Sequence, residues 1–190
     1  QAFDVLQGSK IIVIKSTILP GTTLVYQKKF PQHKILFNPE FLTELTADYD
    51  TQNPNRQILG VTGQSHDVAE QVMSLLAKAP FEKIIKAEEA ELVKYFNNCF
   101  YALKVAFVNQ MFDLSSKLGV NYDNIKECVR TEPMMGTNHF EIFHKGYRGY
   151  GGKCLPKDVR SLIKLGDEAG VDLTLLKAAE AYNNIIIKDK

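Results

Sequence analysis

This 190-residue chain has no lysine- or arginine-rich block, no membrane-length apolar run and no CxxC pair, and each absence removes a class of function. Lysine plus arginine (23) and aspartate plus glutamate (22) nearly balance and are well mixed, so the electrostatic footprint of a nucleic-acid or membrane-surface binder is missing. The longest apolar runs fall far short of a bilayer span, and the first residues carry no signal-peptide pattern. Cys99, Cys128 and Cys154 lie far apart, which argues against a disulfide framework and a zinc site and favours a reducing, cytoplasmic setting. No glycines form a GxGxxG, so that dinucleotide fingerprint is absent. No internal repeat or low-complexity tract is evident. The chain opens on Gln1 rather than methionine, which reads as the middle of a longer sequence.

What is present suffices for one good core or two small ones, with hydrophobic residues at 45% and charged residues at 24%. KIIVIKST (10–17) is β-branched and almost continuously apolar, which predicts a strand buried on both faces of a parallel sheet, ended by Pro20 and Gly21. Thr22 or Thr23 is suited to cap a short helix to Phe30, and KILF (34–37), RQILGV (56–61) and residues 81–86 supply further strands. Ser65 or His66 starts an amphipathic helix to Ala77. In EFLTELTADYD (40–50), helical winding would put Glu40 and Glu44 on one face. From 88 to 118 the period is helical without a break, and Gly119 supplies the stop. Such a helix, on the order of 45 Å long, suits a domain connection or packing against its copy in a dimer. Asn121 or Asp123 caps a helix to Arg130, residues 131–145 show little periodicity, and helices at 156–168 and 173–187 follow, the second capped at Asp172. This order predicts an α/β piece (1–86) followed by an all-α piece (87–190).

GYGGKCLPKD (149–158) places Cys154 between a glycine-rich turn and Pro156, which suits the first position of a helix. The partial positive charge of that helix end, with Lys153 and Lys157 close by, favours a thiolate, although a single cysteine is more often a small buried hydrophobe. Lys94 and Asn98 are one helical turn apart, so a cation and an amide could hold one oxygen between them; a lysine on a helix is more often simply solvated. Ser16, Thr17 and Glu40 follow strands, where open α/β sheets bind ligands, and a turn and a helix cap explain them equally well. A cysteine hydrolase would want a histidine base, but His33, His66, His139 and His144 sit in no supporting motif or metal spacing.

Read together, KSTILPGTT (15–23), NPEFLTE (38–44), AELVKYFNNCFYALKVAFVNQ (90–110) and GYGGKCLPKD (149–158) resemble the UDP-glucose and GDP-mannose dehydrogenase family in order and spacing, over nearly the whole chain. The resemblance implies the C-terminal part of an NAD-binding, Rossmann-like parallel-sheet domain (1–86), then an all-α central dimerisation domain (87–190) with a long connecting helix. It implies NAD as cofactor, a nucleotide-sugar substrate, a homodimer through the helix 88–118, and no nucleic-acid, membrane or metal partner. The family oxidises a sugar C6 alcohol twice, to the carboxylate. By resemblance Cys154 is the nucleophile that captures the aldehyde, and Lys94 and Asn98 stabilise the developing oxyanion. Thr17 and Asp158 match water-positioning residues, and Glu40 matches a general base or base relay. Thr17, Glu44 and Lys157 match cofactor positions; Glu40, Phe41, Leu42, Lys94, Asn98, Phe143, Tyr147 and Gly151 match substrate positions. Arg148 stands where an aromatic residue is common and Gln110 where an acidic one is expected, departures that bear on the sugar. UDP-glucose, GDP-mannose and a UDP-N-acetylhexosamine are the substrate alternatives. An incomplete oligomerisation module of such an enzyme is the non-enzymatic one.

Overall fold

Apolar alternation organises the first part of the chain. In the computed structural model, which describes residues 3–43 and 46–188, strands β1 (Ile11–Ile14), β2 (Lys34–Phe37), β3 (Arg56–Val61) and β4 (Phe81–Lys86) form one sheet in that order. Leu36, Leu59 and Val61 cluster with Val13, Ile84 and the helix α3 residues Ala69, Val72 and Met73, α3 being Ala69–Leu75. Their strand neighbours Phe37, Ile58, Ile14 and Ile85 cluster instead with Ala90 and Val93 of helix α4 (Ala87–Leu118). Successive side chains thus enter cores on opposite faces, which is why β2 and the latter part of β3 read as apolar runs, whereas β1 is an edge strand with Ile11 exposed where burial on both faces was expected. Gly60 allows α4 to lie close on the sheet, since a Cβ there would stand 2.8 Å from Ala90 Cβ and 2.9 Å from Ala87 Cα.

The pairing is parallel from Ile11↔Lys34 to Ile14↔Phe37 and from Arg56↔Phe81 to Val61↔Lys86. Between these pairs, β2 and β3 meet antiparallel at Leu36↔Val61 and Phe37↔Gly60, so the sheet is mixed where a parallel one was expected. The connection through residues 38–55, with the short helix α2 (Ala47–Gln52), returns at the end of the sheet it left, so no crossover is made. Asn38 fixes the start of this return. Its N–H continues the ladder to Ile14 O at 2.8 Å, and its side-chain amide donates to Gln57 Oε1 and Ile58 O at 3.1 and 2.9 Å.

Several local expectations change. Helix α1 (Thr22–Lys29) starts behind Gly21 in the left-handed conformation (φ 91°) and has no threonine side-chain cap. Residues 40–43 are not helical, and Glu44 lies outside the described residues. The helix expected from 65 begins as a 3-10 turn, His66–Val68, and ends at Leu75.

The chain divides into two compact units that meet in sequence at Lys94 and Tyr95, inside α4. In the second unit Cys99, Ala102, Val105 and Ala106 of α4 form a core with Tyr150, with Val159 of α6 (Leu155–Glu168), and with Leu176 and Ala179 of α7 (Thr174–Ile186). Gly119 (φ 68°) ends α4, and Asn121 rather than Asp123 caps α5 (Tyr122–Arg130), its Oδ1 accepting from Asp123 N at 2.8 Å. The segment read as aperiodic contains a hairpin, β5 (Phe143–His144) and β6 (Tyr147–Arg148), with Lys145 and Gly146 both at positive φ between them. Asp172 is not the cap of α7, since Leu173 occupies that position and Asp172 pairs with Lys177 at 2.8 Å.

Candidate active site

In the first unit the early turns of α4 supply two anchoring side chains. Glu91 is fully buried and accepts from Gly21 N (2.5 Å), Thr23 N (2.8 Å) and Thr23 Oγ1 (2.6 Å). Burial pushes its carboxyl above the ordinary range, and these hydrogen bonds partly pull it back. Lys94, on the next turn, donates Nζ to Glu40 O at 2.5 Å and stands 5.6 Å from the centroid of the Phe41 ring, over which the Arg56 guanidinium also sits at 3.9 Å. The Glu40 carboxylate pairs with Lys15 at 3.1 Å, partly in water. Lys94, Glu40 and Phe41 are therefore brought together through the Glu40 main chain, with its carboxylate directed to a second lysine. Thr17 is half-buried just beyond β1, and Leu42 is exposed.

In the second unit Asn98 of α4 donates Nδ2 to Asp158 Oδ2 at 2.5 Å, and Lys157 Nζ reaches Asp158 Oδ1 at 2.6 Å. Asp158 is 1% exposed, in the first turn of α6, and its N–H bonds to Cys154 O at 3.0 Å. Cys154 occupies the N-cap of α6 and is exposed, with proline in the helix's first turn. Cys99 is buried, and burial, then the negative charge of Asp158, pushes its thiol up to about 12. The turn ahead of Cys154 needs glycine at Gly149 and Gly152, at φ 76° and 73°. Gly151 is needed for closeness, since a Cβ there would stand 2.7 Å from the Tyr147 ring. Tyr147 and Gly151 thus touch, while Phe143, across the hairpin, is exposed and edge-on to Phe112. His139 stacks on Tyr101 at 4.5 Å, and His144 lies edge-on to Tyr147.

Sequence reading missed the contacts that hold the hairpin and the glycine turn. Arg148 reaches Asn109 Oδ1 (3.2 Å) and Asp113 Oδ1 (2.6 Å), and Tyr182 donates to Asp113 Oδ2 (2.6 Å). Asn183 brackets the main chain of Tyr150. The available signal was a polar residue within an apolar stripe, at 91, 109 and 183, a pattern that names no partner. Among the described residues no three His, Cys, Asp or Glu side chains gather as a metal site, and no helix is long and apolar enough to cross a membrane.

Residues 2–79 match the NAD binding domain of the UDP-glucose/GDP-mannose dehydrogenase family, and residues 88–185 match its central domain. UDP-glucose 6-dehydrogenase of Rickettsia typhi is 33% identical over 181 residues, covering 92% of this chain and 41% of that protein. The structure of a UDP-glucose dehydrogenase from the hyperthermophilic archaeon Pyrobaculum islandicum has a TM-score of 0.82 at 32% identity, covering 94% of this chain and 42% of its own. For UDP-D-ManNAc dehydrogenase from Pyrococcus horikoshii the TM-score is 0.81 at 25% identity, with 97% and 44% covered. The chain spans about two fifths of the length of these relatives. NAD, the cofactor expected by resemblance, is the ligand of the first matched domain. Strands β1 to β3 fall within the first matched domain, the long helix from residue 88 and the cysteine turn fall within the second, and the chain belongs to the UDP-glucose/GDP-mannose dehydrogenase family.

Proposed function

We propose that the chain is the nucleophile-bearing part of an NAD-dependent nucleotide-sugar 6-dehydrogenase that takes a C6 alcohol to the carboxylate. UDP-glucose is the favoured substrate, with GDP-mannose or a UDP-N-acetylhexosamine as alternatives. One observation carries the reading. Cys154 stands exposed at the start of α6, behind a glycine turn, with Lys157 and Asp158 in the following helical turn and Asn98 of α4 bonded to Asp158.

NAD⁺, when bound, supplies the acceptor for the hydrides that leave C6. Thr17 and Lys157 would hold it, together with Glu44 outside the described residues. Their chemistry fits: Thr17 offers a half-buried hydroxyl beyond the carboxyl end of a parallel strand, and the Lys157 side chain is 53% exposed, its ammonium carrying more protons than the bond to Asp158 uses. In the proposed chemistry the Cys154 sulfur bonds to the aldehyde carbon, which leaves negative charge on the oxygen. Lys94 and the second N–H on the Asn98 amide nitrogen are the donors assigned to that oxygen. After hydride loss the sulfur holds a thioester, and water, oriented by Asp158 and Thr17 with Glu40 as base relay, breaks the C–S bond to give the acid and return the thiol. Phe41, Leu42, Phe143, Tyr147 and Gly151 are the proposed sugar contacts.

The test is NADH and acid formation by the full-length protein with a panel of UDP- and GDP-sugars. Wild type is expected to form the acid and Cys154→Ala to form none; acid production at the wild-type rate by this variant overturns the role of Cys154.

Assembly is proposed from a different observation. Phe96, Phe100, Phe107, Leu114 and Leu118 recur on α4 at spacings of four and seven and are 72%, 56%, 57%, 49% and 66% exposed. A second copy of the chain covering this stripe, as a homodimer, removes an apolar face from water. The three unpaired cysteines suit a cytoplasmic enzyme.

A further inference from the structure

Asn183 is 2% exposed on α7 and uses both ends of its carboxamide on one residue. Its Oδ1 accepts from Tyr150 N at 2.7 Å, and its Nδ2 donates to Tyr150 O at 2.9 Å. That is the pattern of a neighbouring strand, made here by a side chain. Gly149, at φ 76°, accepts this partner because it has no Cβ, which would stand 2.3 Å from Asn183 Oδ1. The Tyr150 ring packs in the core with Cys99 and Val159, and its hydroxyl donates to Glu180 Oε2 at 2.7 Å. Glu180 Oε1 in turn accepts from Arg160 Nε of α6 at 2.6 Å. Helix α7 therefore grips Tyr150 at its main chain and at its hydroxyl, one short turn ahead of Cys154.

We infer that Asn183 is a positioning residue for the nucleophile, its carboxamide fixing the Tyr150 peptide and so the place of Cys154 at the start of α6. A hydrophobe at 183 would satisfy core packing. Only a neutral group with one donor and one acceptor end makes both main-chain bonds. The inference rests on the reading of Cys154 as the nucleophile.

The experiment uses the full-length protein with Asn183→Ala and Asn183→Asp, measured well below each Tm. The readouts are kcat, KM and the iodoacetamide alkylation rate of Cys154, with exposed Cys128 as internal control. For Asn183→Ala, kcat for acid formation is expected to fall about tenfold, with KM for NAD and sugar changed less than about threefold. Cys154 alkylation should change by a similar factor while that of Cys128 stays constant. In Asn183→Asp the ionised carboxylate opposes Tyr150 O, whereas the protonated acid restores a donor and an acceptor. Its kcat relative to wild type is therefore expected to rise as pH falls from about 8 to about 5. A kcat within about twofold of wild type in both variants, a pH-independent Asn183→Asp ratio, or losses that merely follow Tm overturn the inference. If the wild type forms no acid, the dehydrogenase reading fails, and the Cys154 alkylation rates still decide the positioning role.

Discussion

Asn98 donates its side-chain amide to the Asp158 carboxylate across 2.5 Å, with the two residues 7% and 1% exposed. A hydrogen bond withdrawn from water in this way matters mainly through what its loss leaves behind, an unpaired buried polar group. It also makes one unit of two residues with separate proposed jobs, the oxyanion donor and the water-positioning carboxylate.

Asp158→Ala strands the Asn98 amide and is expected to lower stability by about 1–3 kcal/mol. Asp158→Asn keeps an acceptor for Asn98 and should lose less. Urea unfolding measures both, and equal midpoints for wild type and Asp158→Ala would show that the bond contributes nothing.

The cysteines should separate by environment. With its thiol pushed up to about 12, Cys99 carries almost no thiolate near neutral pH, and it is buried. Iodoacetamide on the folded protein is expected to label Cys154 and Cys128 and to spare Cys99 until urea is added. Labelling of Cys99 in the native state at the rate of Cys128 would contradict the buried environment described for it.

Glu91 gives a pH signature. Its carboxyl is raised in the fold, chiefly by burial, so the native state holds its proton more tightly than the unfolded chain does. The stability this contributes is complete below the ordinary value of 4.5 and is lost as pH rises through the raised folded value. Wild type should therefore lose stability relative to Glu91→Gln as pH rises above 4.5 through the raised folded value, and level off beyond it. A difference between the two that does not change with pH, read by urea unfolding at several pH values, argues against a perturbed Glu91.

The stripe on α4 predicts assembly. Phe100→Asp combined with Phe107→Asp puts charge into the proposed dimer seam and should shift the protein to monomer by light scattering without loss of helix by circular dichroism. An unchanged mass would remove this face from the interface.

Much of the fold was legible locally. Strands 34–37 and 56–61 follow from apolar runs bounded by turn residues, and the uninterrupted helical period ending at Gly119 marks α4. Periodicity reports which face of an element is buried and says nothing of the neighbour's direction, so the antiparallel step between β2 and β3 was not readable. The hairpin at 143–148 is too short to show a period, although Gly146 in its turn was a hint.

For the candidate site, the sequence by itself determined the chemistry available: a cysteine before a helix, a glycine turn in front of it, and a lysine and an asparagine one helical turn apart. Those are short-range relations, set by the geometry of one turn or one helix. The tertiary structure alone decided that Asn98 is bound to Asp158, that Lys94 rests on the Glu40 carbonyl, and that Glu91 and Asn183 brace distant turns. The physical reason is common to all four. A polar group withdrawn wholly or partly from water must find a partner, and which partner it finds depends on where the rest of the chain has brought its own polar groups.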